Sequence, residues 1–206
     1  QAVSGTGGEA IRELEGQVRA HVAGEKKDVS VYPHQIAFNA LPQVDVFLDN
    51  GYTKEEMKLV NESRKILHLP ELRVSCTAVR IPVFVAHSEA VHVETARPIT
   101  PAEARDLFAK VDGVVVQDDP STSTYPLATQ AAGSDEIFVG RVRQDPSIDG
   151  DRGLAFWVVS DNLRKGAATN AVQIAEALVA RGWVRAAAAR GATPYRAEET
   201  AIGASA

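Results

Sequence analysis

Two capping boxes fix where this chain turns helical. In "GYTKEEMKLVNESRKIL" Thr53 is followed three residues later by Glu56, and in "TPAEARDLFAKV" Thr100 is followed by Pro101 and then Glu103. A threonine hydroxyl that accepts from the third amide, with a glutamate reaching back to the threonine amide, satisfies donors that a helix start otherwise leaves open. Proline at the first helical position costs nothing there, because its amide would be unpartnered anyway. Ile11, Leu14, Val18 and Val22 recur at helical spacing and predict an amphipathic helix over about residues 7–23. A last helix over about 163–181 stops at Gly182. Between the helices, stretches rich in Val, Ile, Phe and Trp predict strands at about 73–86, 89–97, 136–143 and 153–160. Helices and strands are mixed without βαβ alternation. The expected fold is therefore α+β, a mixed, largely antiparallel sheet with helices packed on one face. A length of 206 residues suits one such domain, read as 1–183, with 184–206 as a mobile tail of small and polar residues.

Charge and composition exclude several classes of function. A net charge of −5 offers no basic surface for nucleic acid. No apolar run approaches the roughly 18 residues a spanning helix needs, so no membrane partner is expected. The single cysteine, Cys76, permits no internal disulfide and fits a reducing, cytoplasmic compartment. No metal-ligand cluster, paired-carboxylate motif or phosphate-loop motif is present, and no metal is expected. The chain opens on Gln1 without a methionine, which suggests a piece excised from a longer protein.

The residues that carry chemistry are individually ambiguous. "VRIPVFVAHSEA" places Arg80 and His87 seven positions apart in an apolar run. In a straight strand an odd separation puts two side chains on opposite faces, so they share a site only if the strand bends or ends between them. Pro82 favours an edge or a bulge and permits this. An exposed arginine on an edge strand and a histidine in a turn is the competing reading. Ser4 and the glycines of "AVSGTGG" precede the first helix, where anions bind, although a plain loop-to-helix transition explains them equally. Glu55 and Lys58 share a helix face and ordinarily make a solvated pair. Asn162 suits a helix cap. Cys76 alternates with Val74 and Ala78 and reads as a small core residue.

Taken in order, "QAVSGTGG", "IAFNALPQVD", "GYTKEEMKLVNESRKIL", "VRIPVFVAHSEAV" and "SDNLRKGAATNAVQIAE" resemble bacterial aspartate-semialdehyde dehydrogenase, over residues 1 to about 178. The resemblance is to its C-terminal catalytic and dimerisation domain, of the glyceraldehyde-3-phosphate dehydrogenase-like C-terminal type. It implies NADPH-dependent reductive dephosphorylation of L-aspartyl 4-phosphate to L-aspartate 4-semialdehyde, towards lysine, diaminopimelate, threonine and methionine. It also implies a homodimer or higher homo-oligomer paired through an apolar sheet face, and an NADP-binding Rossmann domain outside this chain. Residue by residue, His87 matches the acid/base histidine and Gln1 the glutamine that orients substrate. Arg80 matches the arginine on the α-carboxylate, Glu55 the carboxylate at the substrate ammonium, and Lys58 the phosphate-binding lysine. Ser4, Gly5 and Asn162 match positions that approach the cofactor.

One departure limits the resemblance. The family's nucleophile sits in an Asn-Cys-(Ser/Thr)-Thr motif, and the neighbours of Cys76 do not match it. The chain alone is expected to be catalytically silent. Two alternatives stand beside an excised enzyme domain: a non-catalytic dimerisation or binding homologue, and an N-acetyl-γ-glutamyl-phosphate reductase-like enzyme. The "EEMK" and "VRIPVFVAHSEAV" blocks argue against the latter.

Overall fold

A computed structural model describes residues 1–184. The expected capping boxes are both complete. Helix α1 spans Gly8–Ala23, α2 spans Lys54–Ile66 and α3 spans Pro101–Phe108. At the start of α2, Thr53 Oγ1 accepts from the Glu56 amide at 3.3 Å and Glu56 Oε2 accepts from the Thr53 amide at 2.7 Å. Glu56 then does a second thing, because its other oxygen accepts from the Ala78 amide at 2.8 Å. The cap thereby ties α2 to the segment that carries Arg80. These amide donors hold the Glu56 carboxyl below its usual range.

Strands β1 (His87–Glu94), β2 (Val114–Val116), β3 (Ile137–Gln144) and β4 (Gly153–Ser160) form one sheet in the order β1-β4-β3-β2. β1 and β3 both run antiparallel to β4, while β2 runs parallel to β3. The sheet is thus mixed and largely antiparallel, as expected. Alternation along β4 sorts the core. Leu154 and Val158, with Val139 and Val142 of β3, pack against Ala104 and Phe108 of α3. Trp157 and Val159 point the other way, to Ala86 and to the single turn α4, Ala128–Ala131. A separate cluster of Val3, Ala10, Leu14, Ile36, Ala37 and Leu41 packs α1 against the first residues of the chain.

Three expectations need correction. The stretch 73–86 joins no sheet and bends at Pro82, as the proline permits, where Val83 N–H donates to Ile81 O at 2.8 Å. Its one bridge is to Leu41, with Arg80 N–H and C=O both bonded to Leu41 at 2.8 Å. Pro82 offers no amide, and Ala86 at φ 77° ends the extended run. β1 consequently begins at His87, two residues earlier than expected, and β2 was too short to separate from a loop by pattern. The last helix opens with a wide π turn, Arg164–Ala168, before α5, Thr169–Ala180. Its cap is Asp161, whose carboxylate accepts from the Leu163 and Arg164 amides at 2.8 and 3.0 Å. Asn162 faces elsewhere.

The chain divides into a unit Gln1–Asn170 and a second beginning at Ala171. In the second, the Arg181 guanidinium lies 5.2 Å from the centre of the Trp183 ring. Apart from residue 184, the expected mobile tail lies outside the described residues. Among the described residues, no helix is long and apolar enough to cross a membrane, and no group of His, Cys, Asp and Glu is placed to hold a metal ion.

Candidate functional site

Val79, Ile81, Val83 and Phe84 bond through their backbone to the first residues of the chain. The Gln1 amino group donates to Val79 O at 2.6 Å and Ile81 N–H donates to Gln1 O at 3.0 Å. Val3 and Ser4 amides then donate to Val83 and Phe84 carbonyls at 2.9 and 3.0 Å. Extended backbone needs such partners somewhere. Here they strap the short 3-10 turn Val3–Thr6 onto the segment between Arg80 and His87.

This strap answers the spacing problem. Ala2, fully buried, accepts from Arg80 Nη1 at 2.6 Å through its carbonyl and donates to His87 Nδ1 at 3.1 Å through its amide. The two side chains meet because the chain bends at Pro82 and again at Ala86, so strand parity does not apply between them. Gly5 completes the floor. A Cβ at that position would lie 3.0 Å from Arg80 Nη1 and 3.4 Å from His87 Nε2.

The electrostatics of the pair follow from this packing. Because Nδ1 accepts a hydrogen bond, the neutral His87 ring carries its proton on Nε2. Burial above all, with the Arg80 guanidinium beside it, lowers its pKa to about 4. Arg80 is 5% exposed, its Nε is buried without a partner, and its guanidinium lies 6.0 Å from the centre of the Tyr32 ring. A buried unpaired donor is unfavourable, by roughly 1–3 kcal/mol.

The other candidates flank this centre. Gln1 Nε2 donates to Glu55 Oε1 at 3.1 Å, and Lys58 Nζ lies 3.6 Å from Glu55 Oε2, so α2 brings an anion and a cation to the Gln1 side chain. On the opposite flank, Asn162 Oδ1 accepts from Ser4 Oγ and from the Ala86 amide, each at 3.0 Å. All eight residues singled out in the sequence fall in the unit Gln1–Asn170. Sequence reasoning missed Ala2, which acts through its main chain and leaves no signature. It also missed Tyr32 and Asp161, although Asp161 stood beside Asn162 as an equally good cap.

Cys76 lies apart in character. Its thiol donates weakly to Glu56 O at 3.5 Å, and burial with the nearby Glu56 and Glu55 carboxylates pushes its pKa up. An activated thiol needs the opposite environment.

Residues 1–165 match the family described as "Semialdehyde dehydrogenase, dimerisation domain". The aspartate-semialdehyde dehydrogenase of Legionella pneumophila is 56% identical over 179 residues, covering 86% of this chain and 51% of the relative. That of Aquifex aeolicus (strain VF5) is 52% identical over 185 residues, covering 89% and 54%. The crystal structure of aspartate semialdehyde dehydrogenase II from Vibrio cholerae, complexed with ASA, superposes with a TM-score of 0.83 at 48% identity. It covers 87% of this chain and 52% of the other. The chain spans about half the length of the curated relatives it matches.

Proposed function

The chain belongs to the semialdehyde dehydrogenase dimerisation-domain family, and on that footing we propose that it is the substrate-binding, acid/base and subunit-pairing half of an aspartate-semialdehyde dehydrogenase. The complete enzyme converts L-aspartyl 4-phosphate to L-aspartate 4-semialdehyde and phosphate at the expense of NADPH, and serves lysine, diaminopimelate, threonine and methionine synthesis. The observation that carries this reading is Arg80, buried, charged and short of one partner, beside a neutral His87 that shares its Ala2 anchor.

The residues divide the substrate between them. Arg80 takes the α-carboxylate through its planar guanidinium fork, which lysine cannot reproduce. Glu55 takes the ammonium, and Gln1, bonded to Glu55, orients the chain of the substrate between them. Lys58 places a mobile cation where phosphate departs. His87, neutral and with its proton on Nε2, acts as the acid by donating a hydrogen bond from Nε2–H to the carbonyl oxygen as negative charge develops there on reduction. The attacking cysteine belongs to the other half of the relatives' length, and the raised thiol of Cys76 does not replace it.

The cofactor side is consistent with NADP. Gly5 leaves the space a Cβ would fill next to His87 Nε2, and the Asn162 Nδ2 donors are uncommitted among the described residues. Ser4, Gly5 and Asn162 would border the nicotinamide, which when bound supplies the hydride. The remaining NADP contacts fall to a nucleotide-binding domain. A second copy of the chain is the expected partner, in keeping with the family's description as a dimerisation domain.

The test is turnover by the complete protein: phosphate-dependent reduction of NADP with L-aspartate 4-semialdehyde as substrate. No turnover from a folded, dimeric protein would contradict the proposal and favour a non-catalytic binding homologue.

A further inference from the structure

Ala86 is fully buried and sits at φ 77° immediately before His87. A residue with a Cβ adopts this left-handed conformation only where its surroundings hold it. The holding group is Asn162. Its Oδ1 accepts the Ala86 N–H at 3.0 Å across 76 residues of chain, and accepts Ser4 Oγ–H at the same distance. Ser4 is itself fixed, with its amide bonded to Phe84 O at 3.0 Å. Behind Asn162 stands Asp161, 3% exposed, whose Oδ1 caps the following turn and whose Oδ2 accepts from the Gly133 amide at 2.7 Å. The capping role expected of Asn162 is thus already filled, and its side chain is free to turn towards His87.

We propose that Asn162 is a positioning residue for His87. It locks Ala86 in the left-handed conformation, aims the imidazole at the Ala2 amide, and so keeps the donor hydrogen on Nε2. This rests on reading His87 as the acid/base group. It is separate from any contact Asn162 makes with a nucleotide. Such a contact uses the Nδ2 donors, whereas the brace uses Oδ1.

The experiment uses the complete enzyme and two readouts, steady-state kinetics and the nitrogen-15 shifts of the His87 ring. Asn162→Ala is expected to lower kcat by about 10- to 100-fold through misplacement of the imidazole. KM for the acyl phosphate should stay within about threefold, because Arg80 and Glu55 are untouched. The ring should lose its single Nε2–H tautomer. Adding Ala86→Gly should recover kcat by roughly threefold or more, since glycine reaches positive φ without help. An Asn162→Ala enzyme with unchanged kcat and tautomer, or one in which only KM for NADPH rises, overturns the inference. If Asn162→Ala does not fold, Asn162→Asp keeps the oxygen acceptor and should keep the Nε2–H tautomer; loss of that tautomer in a folded Asp variant also overturns it. A wild-type enzyme without turnover refutes the functional reading instead, and leaves the tautomer comparison to decide the brace.

Discussion

His87 Nδ1 accepts the amide proton of Ala2 at 3.1 Å, so a main-chain group, with no carboxylate between, decides which nitrogen of the imidazole carries the proton. A carboxylate partner would raise the ring's pKa; the Ala2 amide favours the neutral form. In the complete enzyme His87→Asn is expected to fold normally and bind substrate with KM within a few-fold of wild type. Its kcat should fall by about 100-fold or more through loss of the Nε2–H donor aimed at the reacting oxygen. Comparison of kcat and KM for the two enzymes checks this split.

The same burial makes the fold sensitive to acid. His87 titrates near 4 in the folded chain and near 6.5 when unfolded. Between these values the unfolded chain binds the extra proton, so stability rises with pH there and is lost as pH falls from about 6.5 towards about 4. Urea denaturation across that window should show this slope, and His87→Asn should flatten it. An unchanged slope in the variant places the acid sensitivity elsewhere.

Glu56 closes a helix cap and grips Ala78 at once, whereas Glu103 closes a cap at the surface. Glu56→Ala leaves two buried amides without acceptors and should cost about 2–4 kcal/mol. Glu103→Ala should cost about 1 kcal/mol or less. Equal losses in thermal or urea melts would mean that the Ala78 clamp contributes nothing.

At Gly5 the constraint is space, because an added methyl would lie 3.0 Å from Arg80 Nη1 and 3.3 Å from His87 Cε1. Flexible side-chain ends can yield, so Gly5→Ala should melt within a few degrees of wild type. The displaced guanidinium and imidazole should nonetheless lower kcat/KM by roughly tenfold or more. Wild-type kinetics in Gly5→Ala would mean that the pair tolerates displacement.

Helix starts were legible because capping is local chemistry: Thr53 with Glu56 and Thr100 with Glu103 needed no tertiary information. The stretch 73–86 was misread because its alternation is the same whether its amides bond to a sheet or to residues 1–4 and 41. Arg80 and His87 appeared to face apart because nothing in the letter Ala86 announces a positive φ; a glycine would have. Asp161 and Asn162 are both good caps, and only packing against Ser4 and Ala86 decides which one turns inward. The family resemblance named residues that the fold brings into one neighbourhood, but the Ala2 anchor that joins its two central members is main-chain and invisible in a sequence.

Arg80→Lys in the complete enzyme decides whether the buried guanidinium holds the substrate. Lysine keeps the charge but loses the fork that reaches both Ala2 O and a substrate carboxylate. kcat/KM is expected to fall by roughly 10- to 1000-fold, from a charge-assisted contact worth about 1.5–3 kcal/mol and from poorer alignment for the chemical step, with a melting temperature close to wild type. A lysine enzyme with undiminished kcat/KM would show that Arg80 does not hold the substrate.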